Sequence, residues 1–172
     1  MEKLEQATLG GGCFWCLEAI YARISGIKSI VPGYSGGDIQ NPTYEQVCSG
    51  QTGHAEVIQF FFDQKETTYK TLLDWFWLSH NPTTLNRQGG DIGTQYRSVI
   101  FCHSMDQKKI ALESKKNLDK TNMYRDPIVT EISMLQGFFP AEDYHHNYYI
   151  KNPNAGYCTH VIQPKILKLN LG

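Results

Sequence analysis

Cys13 and Cys16 lie three positions apart behind Gly10-Gly11-Gly12, with Phe14 and Trp15 between them. The glycines permit a tight backbone turn. Beyond them Cys13, Cys16, Leu17, Ile20 and Ile24 keep the spacing of one helical face. Cys13 therefore falls at or just inside a helix N-terminus, where unpaired N–H groups and the helix dipole favour an anion. An ordinary thiol is only a few per cent ionised at neutral pH, and such a position lowers its pKa. Nucleophilic catalysis by Cys13 is the chemistry suggested. The plainer alternatives are an inert packing thiol, half of a zinc site, or a thioredoxin-like redox pair. A zinc site needs a second ligand pair, yet Cys48, Cys102 and Cys158 each stand alone. A thioredoxin-like pair usually carries its tryptophan before the first cysteine rather than between the two.

A second candidate comes from the strand Ala55 to Asp63. Its period of two puts Glu56, Ile58, Phe60 and Phe62 on one face. Glu56 is then either a solvated carboxylate at a fraying strand end or a buried neutral acid able to give up a proton. The pattern alone leaves these level.

The elements around these residues are short and alternate. Strands are expected at 6–9, 27–31, 55–63, 97–102 and 128–135, and helices at 13–24, 67–78, 104–119 and 140–149. Ser104 with Gln107 reads as a capping box opening the third of these helices. Two polar, glycine-rich stretches, 32–53 and 86–96, read as long loops of the kind that carry function. The residues from about 151, with Pro153, Gly156 and Cys158, read as an extended, mobile tail. The order of elements contains a split βαβ unit. The expected fold is a two-layer α/β (α+β) sandwich with a mixed sheet and a ferredoxin-like core, in one catalytic domain over 1–172. His145 and His146 are adjacent on the last helix, so their side chains diverge and packing is preferred to metal binding.

The totals narrow the function classes. The 172 residues carry a net charge of −1, with 41% hydrophobic and 19% charged residues. This gives no electrostatic case for nucleic acid or an anionic membrane. Met1-Glu2-Lys3-Leu4-Glu5-Gln6 shows no signal peptide, and no apolar run approaches membrane-spanning length. Five cysteines cannot all pair within one chain. A reducing, cytoplasmic setting is expected, where CxxC is more often catalytic than a staple.

Several longer motifs then carry a resemblance. Gly11-Gly12-Cys13-Phe14-Trp15-Cys16, Asn41-Pro42-Thr43-Tyr44, Gly53-His54-Ala55-Glu56-Val57, Gly93-Thr94-Gln95-Tyr96-Arg97-Ser98, Asn152-Pro153 and Tyr157-Cys158 occur in one order over nearly the whole chain. Together they resemble the methionine sulfoxide reductase A family. The resemblance implies reduction of methionine S-sulfoxide, free or within proteins, to methionine. It implies Cys13 as nucleophile, Phe14 and Trp15 as the pocket for the substrate methyl group, and Glu56 as the acid at the sulfoxide oxygen. Tyr44 and Tyr96 would assist at that oxygen, and Asp91 lies in the loop motif that helps place the active-site groups.

The chemistry fits these residue types. A sulfoxide oxygen leaves poorly unless protonated, so the attacking sulfur needs a neutral acid beside it. The product on Cys13 would be a sulfenic acid, which condenses with a second thiol. Thioredoxin would then reduce the disulfide, and no metal or organic cofactor is required. Cys158 is the favoured resolving thiol because of its expected mobility. Cys16, where many family members have glycine, is the alternative, and the two could act in sequence. Rival functions are a general thiol–disulfide oxidoreductase using the CxxC pair and a non-catalytic methionine-binding module. Neither disulfide exchange nor simple binding needs the acid cluster of Glu56, Tyr44 and Tyr96.

Overall fold

The residues from Leu4 to Gly10 form β1, which becomes fully buried from Ala7 onward and leads straight into the glycine turn. The computed structural model describes residues 1–172. After the turn come α1 (Phe14–Tyr21), β2 (Ile27–Ser35), α2 (Tyr44–Cys48), β3 (Ala55–Asp63) and α3 (Tyr69–Ser79). A two-rung hairpin, β4 (Arg87–Gln88) and β5 (Asp91–Ile92), and a 3-10 turn at Thr94–Tyr96 follow. Then come β6 (Val99–Cys102), α4 (Met105–Lys120), β7 (Glu131–Met134) and β8 (Phe138–Pro140). The chain ends through a short turn at Asp143–His145, α5 (Tyr148–Lys151), a wide π turn at Cys158–Ile162 and α6 (Gln163–Lys168).

The large sheet has the order β7-β6-β1-β3-β2-β8. β1 pairs antiparallel with β3 and β6, and β3 pairs antiparallel with β2. β1 and β2 thus run parallel with β3 inserted between them, which is the split βαβ core expected from the element order. β7 joins one edge in parallel with β6, making the sheet mixed, and β8 closes the other edge against β2. The alternation of β3 decides which face carries the main core. Ile58, Phe60 and Phe62 meet Leu17, Ile20 and Tyr21 of α1 and Leu72, Leu73 and Phe76 of α3 in one buried cluster. Ala55, Val57, Val99 and Phe101 form a smaller cluster on the opposite face. Glu56 heads the row that points into the larger core.

Two glycines of the turn are required by close approach. A side chain at Gly10 would meet the Glu56 backbone oxygen at 2.8 Å and Val99 at 2.9 Å. Gly12 has φ +86°, and a Cβ there would lie 2.8 Å from Gln88. The turn can therefore nest between β3, β6 and the β4–β5 hairpin.

Several elements differ from the sequence expectation. β2 runs on to Ser35 because Tyr34 pairs with both Glu56 and Phe139, contacts that no local signal reveals. The first long loop contains α2, opened by a complete Thr43–Gln46 capping box. The helix expected over 140–149 does not form, because Phe138–Pro140 is taken up as an edge strand and Asn147 adopts a left-handed backbone with φ 55°. The tail from about 151 is not an extended arm. It winds into the π turn and α6, and Cys158, Ile162 and Ile166 bury themselves in the main core. No helix is long and apolar enough to cross a membrane.

Candidate active site

α1 starts at Phe14, and Cys13 is its cap residue with extended backbone (φ −63°, ψ 130°). No side chain of the turn caps the helix. The orphan N–H of Phe14 instead donates to Glu56 Oε1 at 3.1 Å, reaching across from β3. Gly12 N–H donates to the Tyr96 carbonyl at 3.3 Å, which ties the 3-10 turn to the same spot. Three separate stretches thus converge on one helix end.

Burial sets the charge state there. Glu56 is 1% exposed, and its second oxygen, Oε2, has no hydrogen-bond partner. Loss of water raises its pKa to about 8; the Phe14 N–H opposes that rise, and the nearby Asp91 charge adds to it. At neutral pH this carboxyl is mostly a neutral acid, which resolves the choice left open by the sequence. The Cys13 thiol lies beside it and, like the Phe14 N–H, pulls the carboxyl back toward its ionised form.

Cys13 itself departs from expectation. Burial drives its pKa well above the usual thiol range, the Glu56 carboxylate and Cys16 push the same way, and the opposing pull of the Trp15 N–H at the helix terminus is outweighed. The helix dipole is worth a fraction of a kcal/mol to about 2 kcal/mol, whereas a thiolate with 8% of its surface exposed loses far more hydration. The resting pair is therefore a thiol beside a carboxylic acid.

An aromatic bay surrounds the pair. Phe14 is fully buried and tilts against Tyr34, their centroids 5.7 Å apart. Trp15 stacks flat on Tyr148 at 3.7 Å and 8°. Its indole N–H donates to His145 Nδ1 at 3.0 Å, so the second ring nitrogen of neutral His145 carries the proton. That Nε2 atom is buried without a partner. His145 also lies 4.5 Å from Tyr44, centroid to centroid. Tyr44 and Tyr96 are half-buried, and burial first, with help from the Glu56 charge, raises both phenol pKa values. Both remain neutral hydroxyls able to donate.

Glu142 fixes this wall. It accepts from Tyr34 Oη at 3.0 Å and from the Tyr44 N–H at 2.8 Å, joining β2, α2 and the turn that carries His145. Tyr34, Glu142, His145 and Tyr148 were not among the sequence candidates. The cluster of aromatic residues around His145 was visible in the sequence, but its contact with Trp15 spans 130 positions. His146 turns away to the Ile30 carbonyl at 2.7 Å. The adjacent histidines thus serve different partners.

On the other side of Cys13, Tyr157 Oη donates to Asp91 Oδ2 at 2.6 Å and lies 3.6 Å from Cys16 Sγ. Asp91 is therefore brought to the site, bridged by Tyr157 to the second thiol. Cys16 is near enough to Cys13 for their charges to interact. Cys158 is fully buried on the core side of the π turn, rather than on a free arm. Of the other cysteines, Cys102 closes β6 inside the core, and Cys48 is exposed at the end of α2 beside Tyr44.

Known proteins match this chain along its length. The sequence profile described as peptide methionine sulfoxide reductase covers residues 5–171. The peptide methionine sulfoxide reductase MsrA of Polynucleobacter asymbioticus is 55% identical over 165 residues, 96% of this chain and 87% of that protein. The crystal structure of reduced Mxr1 from Saccharomyces cerevisiae superposes with a TM-score of 0.85 at 36% identity, covering 91% of this chain and 90% of that one. Mxr1 in complex with Trx2 matches with a TM-score of 0.61 at 25% identity, covering 85% of each chain. A buried acid and a cysteine sharing one helix end, inside a match of this extent, place the chain in the peptide methionine sulfoxide reductase family.

Proposed function

We propose that the protein acts as one catalytic domain over 1–172, reducing methionine S-sulfoxide, free or in proteins, by direct oxygen transfer to Cys13. The observation that carries this is the unpartnered, buried Oε2 of a neutral Glu56 beside the Cys13 thiol. A sulfoxide oxygen is a strong acceptor and supplies the missing partner. Trp15, half-buried and backed by the buried Phe14 ring, offers an apolar seat for the S-methyl group, and Tyr44 and Tyr96 add hydroxyl donors at the oxygen.

The Glu56 proton moves onto the sulfoxide oxygen as the carboxylate it leaves behind takes the proton of the Cys13 thiol. Sulfur attacks sulfur, the oxygen ends on Cys13 as a sulfenic acid, and methionine leaves. One oxygen passes to the enzyme, two electrons pass to the substrate, and the proton count is unchanged. Glu56 is again a neutral acid.

In this reading Cys16, rather than the buried Cys158, resolves the sulfenic acid first. It shares the helix end, and because Cys13 has extended backbone the two are not both locked in regular helix. Their condensation releases water and leaves a disulfide. Cys158 enters afterwards, once the π turn opens, and passes the bond outward. The reductant is thioredoxin, a reading supported by the structure of the similar protein Mxr1 with Trx2. Five cysteines, an odd number without a disulfide framework's pairing, fit a reducing, cytoplasmic compartment.

The test is methionine formation from each sulfoxide epimer with dithiothreitol. Turnover of the S epimer alone is expected. Failure on both epimers, with insulin disulfides reduced instead, would support the thiol–disulfide oxidoreductase reading.

A further inference from the structure

Two cavities adjoin, and one of them reaches Cys13. The smaller, about 490 Å³, opens onto Cys13 between Asp91, Tyr157 and His160. The larger, about 740 Å³, continues between the end of α3, the turn at 121–124 and α6, against Trp75, Leu78 and Tyr124. Gln88 and Lys165 line both, so the two form one groove leading away from the nucleophile. Each has the size of a ligand site, roughly 300–1,000 Å³, and a methionine side chain alone does not need both.

The walls carry a particular chemistry. Leu78 and Met123 keep 57% and 60% of their surface exposed on the larger cavity. Lys165 and Lys168, three positions apart on α6, share one face and make no ion pair. Asp91 is the sole carboxylate along the groove, and it already accepts from Tyr157. Gln88 is held on both sides by the Asn81 backbone, at 3.0 Å each, and so shapes the junction. Two unpaired cations over exposed apolar side chains complement a chain that is both acidic and apolar.

We propose that this groove seats the polypeptide flanking an oxidised methionine, and that Lys165 and Lys168 favour segments carrying acidic side chains. The inference rests on the reductase reading and deepens it. Its test uses the native protein, dithiothreitol and three synthetic peptides whose single methionine S-sulfoxide is flanked by Glu, Gln or Lys. The blocked amino acid N-acetyl-methionine S-sulfoxide amide serves as the reference.

At low ionic strength the Glu peptide is expected to exceed the Gln peptide by about fivefold in kcat/KM, through KM, as two solvent-exposed ion pairs allow. The preference shrinks at about 0.5 M salt. Lys168→Glu sets a carboxylate against the remaining Lys165 and should bring the Glu and Lys peptides level, while Lys168→Arg preserves their order. Three equal peptides with normal turnover of the reference would overturn the inference alone. No turnover of the reference would overturn the reductase reading and the inference with it. If Lys168→Glu slows only thioredoxin-driven turnover and leaves the peptide order intact, the groove belongs to the reductant and the inference falls.

Discussion

Replacing Glu56 separates hydrogen bonding from proton transfer at the reacting oxygen. Burial takes the carboxyl from 4.5 to about 8. At about 1.4 kcal/mol per tenfold, the site penalises the ionised form by about 5 kcal/mol, and roughly nine-tenths of the protein holds the neutral acid at pH 7. Glu56→Gln keeps the shape and an N–H donor but has no transferable proton. General acid catalysis is worth about 10²- to 10⁴-fold, so single-turnover methionine formation should fall about 10²-fold, or about 2.7 kcal/mol. Glu56→Ala also loses the donor and should fall about a further tenfold. The native rate should be level below about pH 7 and decline as pH rises through about 8, because the neutral acid is the working form. The descending limb should vanish in Glu56→Gln. Rapid-quench measurement of the first turnover between pH 6 and 9.5 reads all of this. Equal rates for the two variants would refute proton donation. A native rate that climbs through pH 8 would show that the singly protonated pair reacts, and would refute the neutral relay.

Other outcomes follow from the same geometry. A buried acid with a raised pKa stabilises the fold below its unfolded value of 4.5 and loses that contribution as pH rises through about 8; Glu56→Gln should therefore unfold at a higher temperature than the native protein at pH 9. His145→Ala removes the acceptor that orients Trp15 and should raise KM about tenfold at little cost to kcat, while His145→Gln, which can accept the same bond, should recover most of it. Cys16→Ser should stop rapid disulfide formation after one turnover, whereas Cys158→Ser should still yield a Cys13–Cys16 disulfide by peptide mapping. Disulfide formation at native speed in Cys16→Ser would return the first resolving role to Cys158.

The local signals in the chain were strong where periodicity and capping act alone. The period of two in β3 located Glu56 on the core face, and the glycine turn with its helical spacing located Cys13 at a helix end. Ser104 did cap α4, its hydroxyl accepting the Gln107 N–H at 3.1 Å. What stayed hidden depends on partners distant in sequence. Tyr34 and Glu142 meet across 108 positions, and Ile162 of the π turn and Ile166 of α6 are buried in a core whose other members include residues of α1, β3 and α3. The Cys13 pKa was misjudged for a related reason. A helix terminus can be read from residue types, but the depth at which it is buried cannot. Glu56 is a case of the same kind: the alternation put it at the head of an apolar row, but left a solvated strand end and a buried acid level, and only the packing of the helix end against it decided for burial.

Trapping the oxidised sulfur tests the central claim most directly. A Cys16→Ser/Cys158→Ser variant treated with one equivalent of methionine S-sulfoxide and a sulfenic-acid-specific dione should carry the label on Cys13, in yield equal to the methionine released. Methionine released without a label, or a label on Cys48 or Cys102 instead, would contradict oxygen transfer to Cys13.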